Sequence, residues 1–171
     1  MDCYLKGLQD PRLASYFKVA KKDGAYHGVR NGQTSRSQGT LSEAASSMNV
    51  GQASSILWMD AAETYFLLAE AKLRLNLGDK TVKEYYEEGV KTSFSSKGAS
   101  GAESYLDNDV NVPSTSFIDP TNGRNTDVSR MVSTLTVKWD ESASPDKKLE
   151  RIMVQKWIAL FPDGQEAWSE M

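Results

Sequence analysis

The chain has 171 residues, of which 39% are apolar, and its 20 basic and 23 acidic side chains give a net charge of −3. This size suits one domain with its own core and no disulfides, and the balanced charge argues against nucleic acid as the natural partner. No stretch approaches the roughly 20 apolar residues that a membrane-spanning helix needs.

The first third of the chain predicts little regular structure. Asp10 can cap a helix and Pro11 suits its first position, so a short helix or turn is expected there. Positions 24–55 are dense in glycine, serine, asparagine and glutamine and predict a long irregular loop, with one helical turn after Ser42. A loop of that length in a compact domain is usually either functional or mobile.

Two helices joined by a tight turn are predicted at positions 60–77 and 81–94, where apolar side chains recur at helical spacing. A capping-box pattern opens each helix: Asp60 with Glu63, and Thr81 with Glu84. Gly78 is expected to end the first helix with a left-handed turn. Four aromatic side chains should pack between the two helices: Tyr65, Phe66, Tyr85 and Tyr86.

A second irregular region is predicted at positions 95–144, because it carries strong turn signals at Pro113, Pro120 and Gly123. Val132, Leu135 and Val137 predict a brief strand within it.

Helical order returns near the end of the chain. Ser144 and Pro145 open a helix predicted at 145–161, which Pro162 ends. A last helix is predicted at 164–171, after a third capping-box pattern formed by Asp163 and Glu166. Because no stop signal follows that start, we expect the chain to be one incomplete domain, 1–171, of a longer protein.

The sequence offers little for catalysis. His27 is the only histidine, and neither a phosphate-binding loop nor a dinucleotide fingerprint is present. Asp107 and Asp109 lack the spacing of a calcium-binding EF-hand loop. Cys3 alone forms neither a disulfide nor a metal site, and too little chain precedes it for a lipoprotein signal. A glycan-cleaving enzyme with two paired carboxylates is a third alternative, supported only by the available acids. We expect no enzymatic activity, no metal and no cofactor.

Candidate ligand-binding residues lie in the two irregular regions. Sugar recognition needs an aromatic face for the ring, together with amide, carboxylate or guanidinium groups for the hydroxyls. The residues that offer these groups are Tyr26, His27, Arg30, Asn31, Arg36, Tyr105, Asp107 and Asn108. Each also has a structural interpretation, as a solvated loop residue or an aromatic folded onto the core. The tryptophans Trp157 and Trp168 fall at core spacing in helices and are interpreted as structural, whereas the role of Trp139 stays open.

Four ordered segments resemble the carboxyl-terminal half of the SusD/RagB-like outer-membrane nutrient-binding proteins of glycan-scavenging bacteria. These segments are DPRLASYF from position 10, AAETYFLLAEAKLRLNLGD from 61, YYEEGVKTSF from 85 and RIMVQKWIALFPDGQEAWSEM from 151. The resemblance implies a mostly α fold with little β, built on a tetratricopeptide-like helical hairpin with further helices and long loops.

The same resemblance implies a protein that binds and does not catalyse. Members of that family are lipid-anchored at the cell surface and pass oligosaccharide or another nutrient to a TonB-dependent, SusC-like transporter. The membrane would be reached only through an anchor outside this chain. The alternative is a tetratricopeptide-like scaffold for other proteins, but such arrays repeat about every 34 residues and only one clear unit is present.

Overall fold

The computed structural model describes residues 1–30, 32, 37–55 and 59–169, with the side chain of Trp168 excepted. Over these residues the helices are α1 Asp2–Gly7, α2 Leu13–Tyr16, α3 Gln38–Ala44, α4 Ala61–Leu75, α5 Val82–Ser96, α6 Ala102–Leu106, α7 Pro145–Ala159 and α8 Gly164–Ser169. The strands are β1 Phe17–Lys18, β2 Ser47–Met48, β3 Ser116–Ile118 and β4 Asn125–Asp127. They form two small antiparallel pairs, β1 with β2 and β3 with β4. The predicted mostly α fold with little β is confirmed.

The hairpin of α4 and α5 is the main helical pair, and local hydrogen bonds set where it begins. In α5 the Thr81 hydroxyl accepts from the N–H of Glu84 at 3.2 Å, and the Glu84 carboxylate accepts from the N–H of Thr81 at 2.7 Å. This capping box is confirmed. In α4 the Asp60 carboxylate accepts instead from the N–H of Ala62 at 3.0 Å, and its other oxygen binds Lys97 at the end of α5.

Two details of the hairpin differ from the prediction. The first helix ends at Leu75, where Asn76 takes the left-handed conformation that was predicted for Gly78. Gly78 also has a positive φ of 96°, and a Cβ there would lie 2.7 Å from the hydroxyl of Tyr85. Glycine is therefore required in the turn because the Tyr85 ring packs directly on it.

Replacing Thr81 with alanine should lower the free energy of unfolding by about 1 kcal/mol, because α5 loses one half of its capping box. Urea denaturation measures the change; exposed Thr64→Ala inside α4 is the control and should be neutral or slightly stabilising, because alanine is the better helix former. The hydrogen bonds from Thr81 lower the pKa of Glu84. The stability they provide is present above the ordinary glutamate pKa, so the effect of the substitution should shrink as the pH falls. An effect of equal size at pH 3 would contradict this account.

The core lies between the hairpin, α7 and the segment that precedes α7. Phe66, Tyr86 and Ile152 are fully buried, and the Tyr86 hydroxyl donates to the carbonyl of Val137 at 2.7 Å. The ring of Trp139 packs 5.2 Å from that of Tyr86, which gives this tryptophan a core position. The predicted packing of aromatic rings between the two helices is confirmed for Phe66 and Tyr86, whose ring centres lie 6.4 Å apart.

A buried ion pair connects three of the four segments that carry the family resemblance: the first, the third and the last. Arg12 is fully buried, and its guanidinium lies 2.6 Å from the carboxylate of Asp10. It also donates to Ser93 on α5 at 2.9 Å and to Gln155 on α7 at 2.7 Å, and it lies 4.9 Å from the centre of the Phe94 ring. Burial opposes the charge, but the neighbouring carboxylate raises the pKa of Arg12 above its ordinary value.

The irregular regions contain more structure than predicted. In the 24–55 region, α3 begins at a Ser37 cap, before the turn expected after Ser42. The 95–144 region holds α6 and the β3–β4 hairpin, whereas residues 132–137 form no strand, so that prediction is wrong. The helix predicted after Asp10 is the single turn of α2, and α1 before it was not predicted.

The two carboxyl-terminal helices begin where they were expected. Ser144 accepts from the N–H of Lys147 and Pro145 occupies the first turn of α7, while Asp163 accepts from the N–H of Glu166 in α8. Helix α7 ends at Ala159, two residues before the predicted end. None of the described helices has the length and apolar character that crossing a bilayer requires.

Candidate ligand-binding groove

An open groove lies between α1, the loop at 26–30 and the β3–β4 hairpin. We call it the α1 groove; its volume is about 570 Å³, within the range of sites that hold small molecules. Aromatic and apolar side chains contribute most of its surface, among them Tyr4, Phe17, Tyr26, Phe117, Met131 and Trp157. Polar groups border them at Asp2, His27, Arg30, Ser46 and Thr126.

Helix α1 holds one wall of the groove in place through two side chains. The Asp2 carboxylate accepts from the N–H of Gly28 at 3.0 Å, and the Lys6 ammonium donates to the carbonyl of Tyr26 at 3.1 Å. A Cβ at position 28 would lie 2.6 Å from the Cβ of Asp2. The loop can approach α1 this closely because residue 28 is glycine.

His27 is fixed on the same wall by backbone and side-chain contacts. Its N–H donates to the Ser46 hydroxyl at 2.9 Å, and its carbonyl accepts from the N–H of Ser46 at 2.9 Å. The ring Nε2 lies 2.8 Å from the carboxylate of Asp23. Hydrogen bonds from the N–H of Ala25 and from the His27 ring lower the pKa of Asp23. The contact with Asp23 engages one of the two ring nitrogens of His27.

The opposite wall is the β3–β4 hairpin, in which Phe117 pairs with Thr126. The chain entering the hairpin bonds to α1, since the N–H of Ser114 donates to the carbonyl of Cys3 at 2.8 Å. Cys3 itself borders the groove, and burial raises the pKa of its thiol. It therefore stays a neutral thiol at pH 7.

The floor combines α1 and α7. The rings of Tyr4 and Trp157 meet edge to face with their centres 5.3 Å apart, and the Tyr4 hydroxyl accepts from the N–H of Ser133 at 3.0 Å. Trp157 was predicted to be structural; it packs against the core and also borders the groove. The indole is thus shared between core and groove.

The groove brings together three of the predicted ligand-binding residues, Tyr26, His27 and Arg30. Asp107 and Asn108 lie elsewhere. Asp107 borders a smaller cleft of about 110 Å³ beside Trp139, while Asn108 accepts from two backbone N–H groups after α6 and donates to the carbonyl of Leu8. The predictions for Asn31 and Arg36 lie outside the described residues.

The prediction that Tyr105 stacks on a ligand does not fit its position. Tyr105 is 4% exposed, lies with its ring 5.3 Å from that of Phe94, and accepts a hydrogen bond from Gln155 at 3.0 Å. Burial raises the pKa of its hydroxyl well above the ordinary value. Tyr105 belongs to the buried cluster around Arg12, because α6 turns its ring inward.

Sequence reasoning missed the contributions of Asp2, Tyr4 and Phe117. The turn at Asn122 and Gly123 was predicted, but no hairpin was inferred from it, because the flanking residues are mostly polar and give no strand pattern. Nothing in the short α1 segment indicated that its side chains border a site. The described residues contain no cluster of three or more His, Cys, Asp or Glu side chains that could hold a metal ion. In the α1 groove, aromatic faces lie beside polar groups, and this combination suits an uncharged molecule that has both apolar and hydroxyl surfaces.

The solved structures that this chain resembles include several SusD homologues. A chitin-binding SusD homologue from Flavobacterium johnsoniae is 40% identical, with a TM-score of 0.88 over 99% of this chain and 35% of its own. A SusD homologue from Bacteroides thetaiotaomicron is also 40% identical, with a TM-score of 0.88 over 98% of this chain and 35% of its own. A SusD homologue from Bacteroides uniformis is 38% identical, with a TM-score of 0.86 over 99% of this chain and 34% of its own. The chain thus spans about a third of the length of these structures.

No protein of curated function matches the chain. A family model does so over its whole length: residues 1–171 match the SusD-like model, described as SusD and RagB outer membrane lipoprotein. The resemblance seen in the four segments is therefore confirmed, and the chain belongs to the SusD-like family of outer-membrane lipoproteins.

Proposed function

We propose that this chain is part of a glycan-binding protein at the cell surface, and that the α1 groove receives the glycan. The observation that carries the proposal is the match to the SusD-like family over all 171 residues, together with a similar solved structure described as chitin-binding. The protein would be held at the outer membrane by a lipid anchor and would deliver its ligand to a SusC-like, TonB-dependent transporter.

The chemistry of the groove supports an oligosaccharide. A sugar ring presents an apolar face of carbon–hydrogen bonds, which the rings of Tyr26 and Phe117 can cover from the two walls. Hydroxyl groups at the ring edge can then bond to His27 and Ser46 on one wall and Thr126 on the other. This arrangement favours binding over cleavage, because glycosidases use two carboxylates, whereas Asp2 is the one carboxylate among the described residues that border the groove and it already accepts from the N–H of Gly28.

Isothermal titration of the complete protein with soluble chitin oligosaccharides tests the proposal directly. We expect saturable binding and, in a parallel assay, no new reducing ends. A panel of other soluble oligosaccharides identifies the preferred glycan. The absence of binding to every member of the panel, or turnover of a bound one, would contradict the proposed function.

Tyr26→Ala and Phe117→Ala should each weaken binding about tenfold or more, because each removes one stacking face and about 1.4 kcal/mol of binding free energy. Tyr65→Ala, which removes a partly buried ring on α4 away from the groove, is the control and should leave the affinity unchanged. Unchanged affinity in all three variants would place the ligand outside the groove, even where the protein binds glycan.

A further inference from the structure

Arg151 on α7 carries a buried donor for which the described residues provide no acceptor. The residue is 5% exposed, and its Nε donates to the carbonyl of Thr136 at 3.0 Å. Its Nη1 is buried and has no hydrogen-bond partner among the residues that the structure describes. Because a buried N–H without an acceptor is unfavourable, folded proteins nearly always supply one from protein or water.

A small cavity borders the Arg151 side chain. Its volume is about 10 Å³, which is room for the centre of one water molecule. The residues that line it include the polar Arg151, Ser133 and Gln155 and the apolar Leu135 and Val154. A cavity of this size with several polar neighbours is the kind that holds an ordered water, whereas a dry cavity is lined by apolar groups alone.

We propose that one water molecule binds in this cavity and accepts a hydrogen bond from Nη1 of Arg151. The water accepts its second hydrogen bond from Gln155 and donates one to the hydroxyl of Ser133. The Ser133 hydroxyl accepts from the N–H of Leu135 and has a second lone pair that can accept from the water. Gln155 uses one amide hydrogen toward Tyr105 and has a second.

A water suits this position better than an anion does. The cavity is small, and the positive charge of Arg151 already stabilises the ionised form of a carboxylate, that of Asp140. The pKa of Asp140 is lowered by hydrogen bonds from Ser142 and further by Arg151. The proposed water links α7 to the segment that includes Ser133, whose N–H binds the Tyr4 hydroxyl at the floor of the α1 groove. It thereby supports the groove from behind.

A crystal structure of the complete protein that resolves ordered solvent, repeated after a bromide soak, tests the proposal. We expect one peak at 2.7–3.2 Å from Nη1 without an anomalous bromide signal. Anomalous signal in the cavity, a protein group bonded to Nη1, or no density at the site would each overturn the proposal.

A double-mutant cycle gives an independent test in solution. Val154→Ile extends a side chain that borders the cavity. In the otherwise native protein it should displace the water and lower the Tm, whereas with Arg151→Met it should leave the Tm unchanged or raise it, because no buried donor then needs the water. A rise in Tm for Val154→Ile alone would show a dry cavity and contradict the proposal.

Discussion

Replacing Arg12 with methionine should lower the free energy of unfolding by about 3–5 kcal/mol. The substitution leaves the Asp10 carboxylate, which is 3% exposed, buried without its cationic partner. It also removes the two hydrogen bonds that Arg12 donates to Ser93 on α5 and to Gln155 on α7. These bonds join both helices to the segment before α2. Urea denaturation monitored by tryptophan fluorescence measures the loss.

Arg74→Met is the matched control, because Arg74 also pairs with a carboxylate, that of Glu70 at 2.7 Å, but its side chain is 56% exposed. An exposed pair of this kind contributes only about 0–1 kcal/mol. Adding Asp10→Asn to Arg12→Met should recover part of the lost stability, since the orphaned charge is then removed. Equal losses for Arg12→Met and Arg74→Met would contradict the role given to the buried pair.

Gly89→Ala should also destabilise the protein, by about 1–3 kcal/mol, although alanine is the better helix former. A Cβ at position 89 on α5 would lie 2.8 Å from the ring of Phe66 on α4. Phe66 is fully buried and has Tyr86 as a neighbour, so its ring has little room to move. Thermal and urea unfolding report the change.

The control for this substitution is Gly39→Ala in α3. A Cβ at position 39 meets no atom within 4 Å, so the change should be neutral or slightly stabilising. A stable Gly89→Ala variant would mean that α4 and α5 separate easily, which contradicts the close hairpin contact described above.

The helix starts were predictable because their causes are local. Thr81 with Glu84 and Ser144 with Pro145 each satisfy backbone donors within one turn, and the structure uses them as the sequence indicated. The apolar periodicity of the long helices is local in the same sense. Asn76 and Gly78 both suit a left-handed turn and both have a positive φ; Asn76 ends the helix, and Gly78 lies against Tyr85.

The site was harder to predict because distant parts of the chain form it. Tyr26 and Tyr105 both lie in irregular stretches of sequence, yet one borders the groove and the other packs on Phe94. That difference depends on contacts across 50 or more residues, such as the one between Tyr105 and Gln155. Phe117 and Tyr4 face the same groove from elements too short to give a periodic pattern.

The measurement that tests the central claim most directly is a crystal structure of the complete protein with a bound oligosaccharide chosen by titration. We predict sugar density in the α1 groove, with a ring stacked on Tyr26 or Phe117 and a hydroxyl bonded to His27, Ser46 or Thr126. Sugar bound at another surface, or the groove filled by a further segment of the protein itself, would contradict the account.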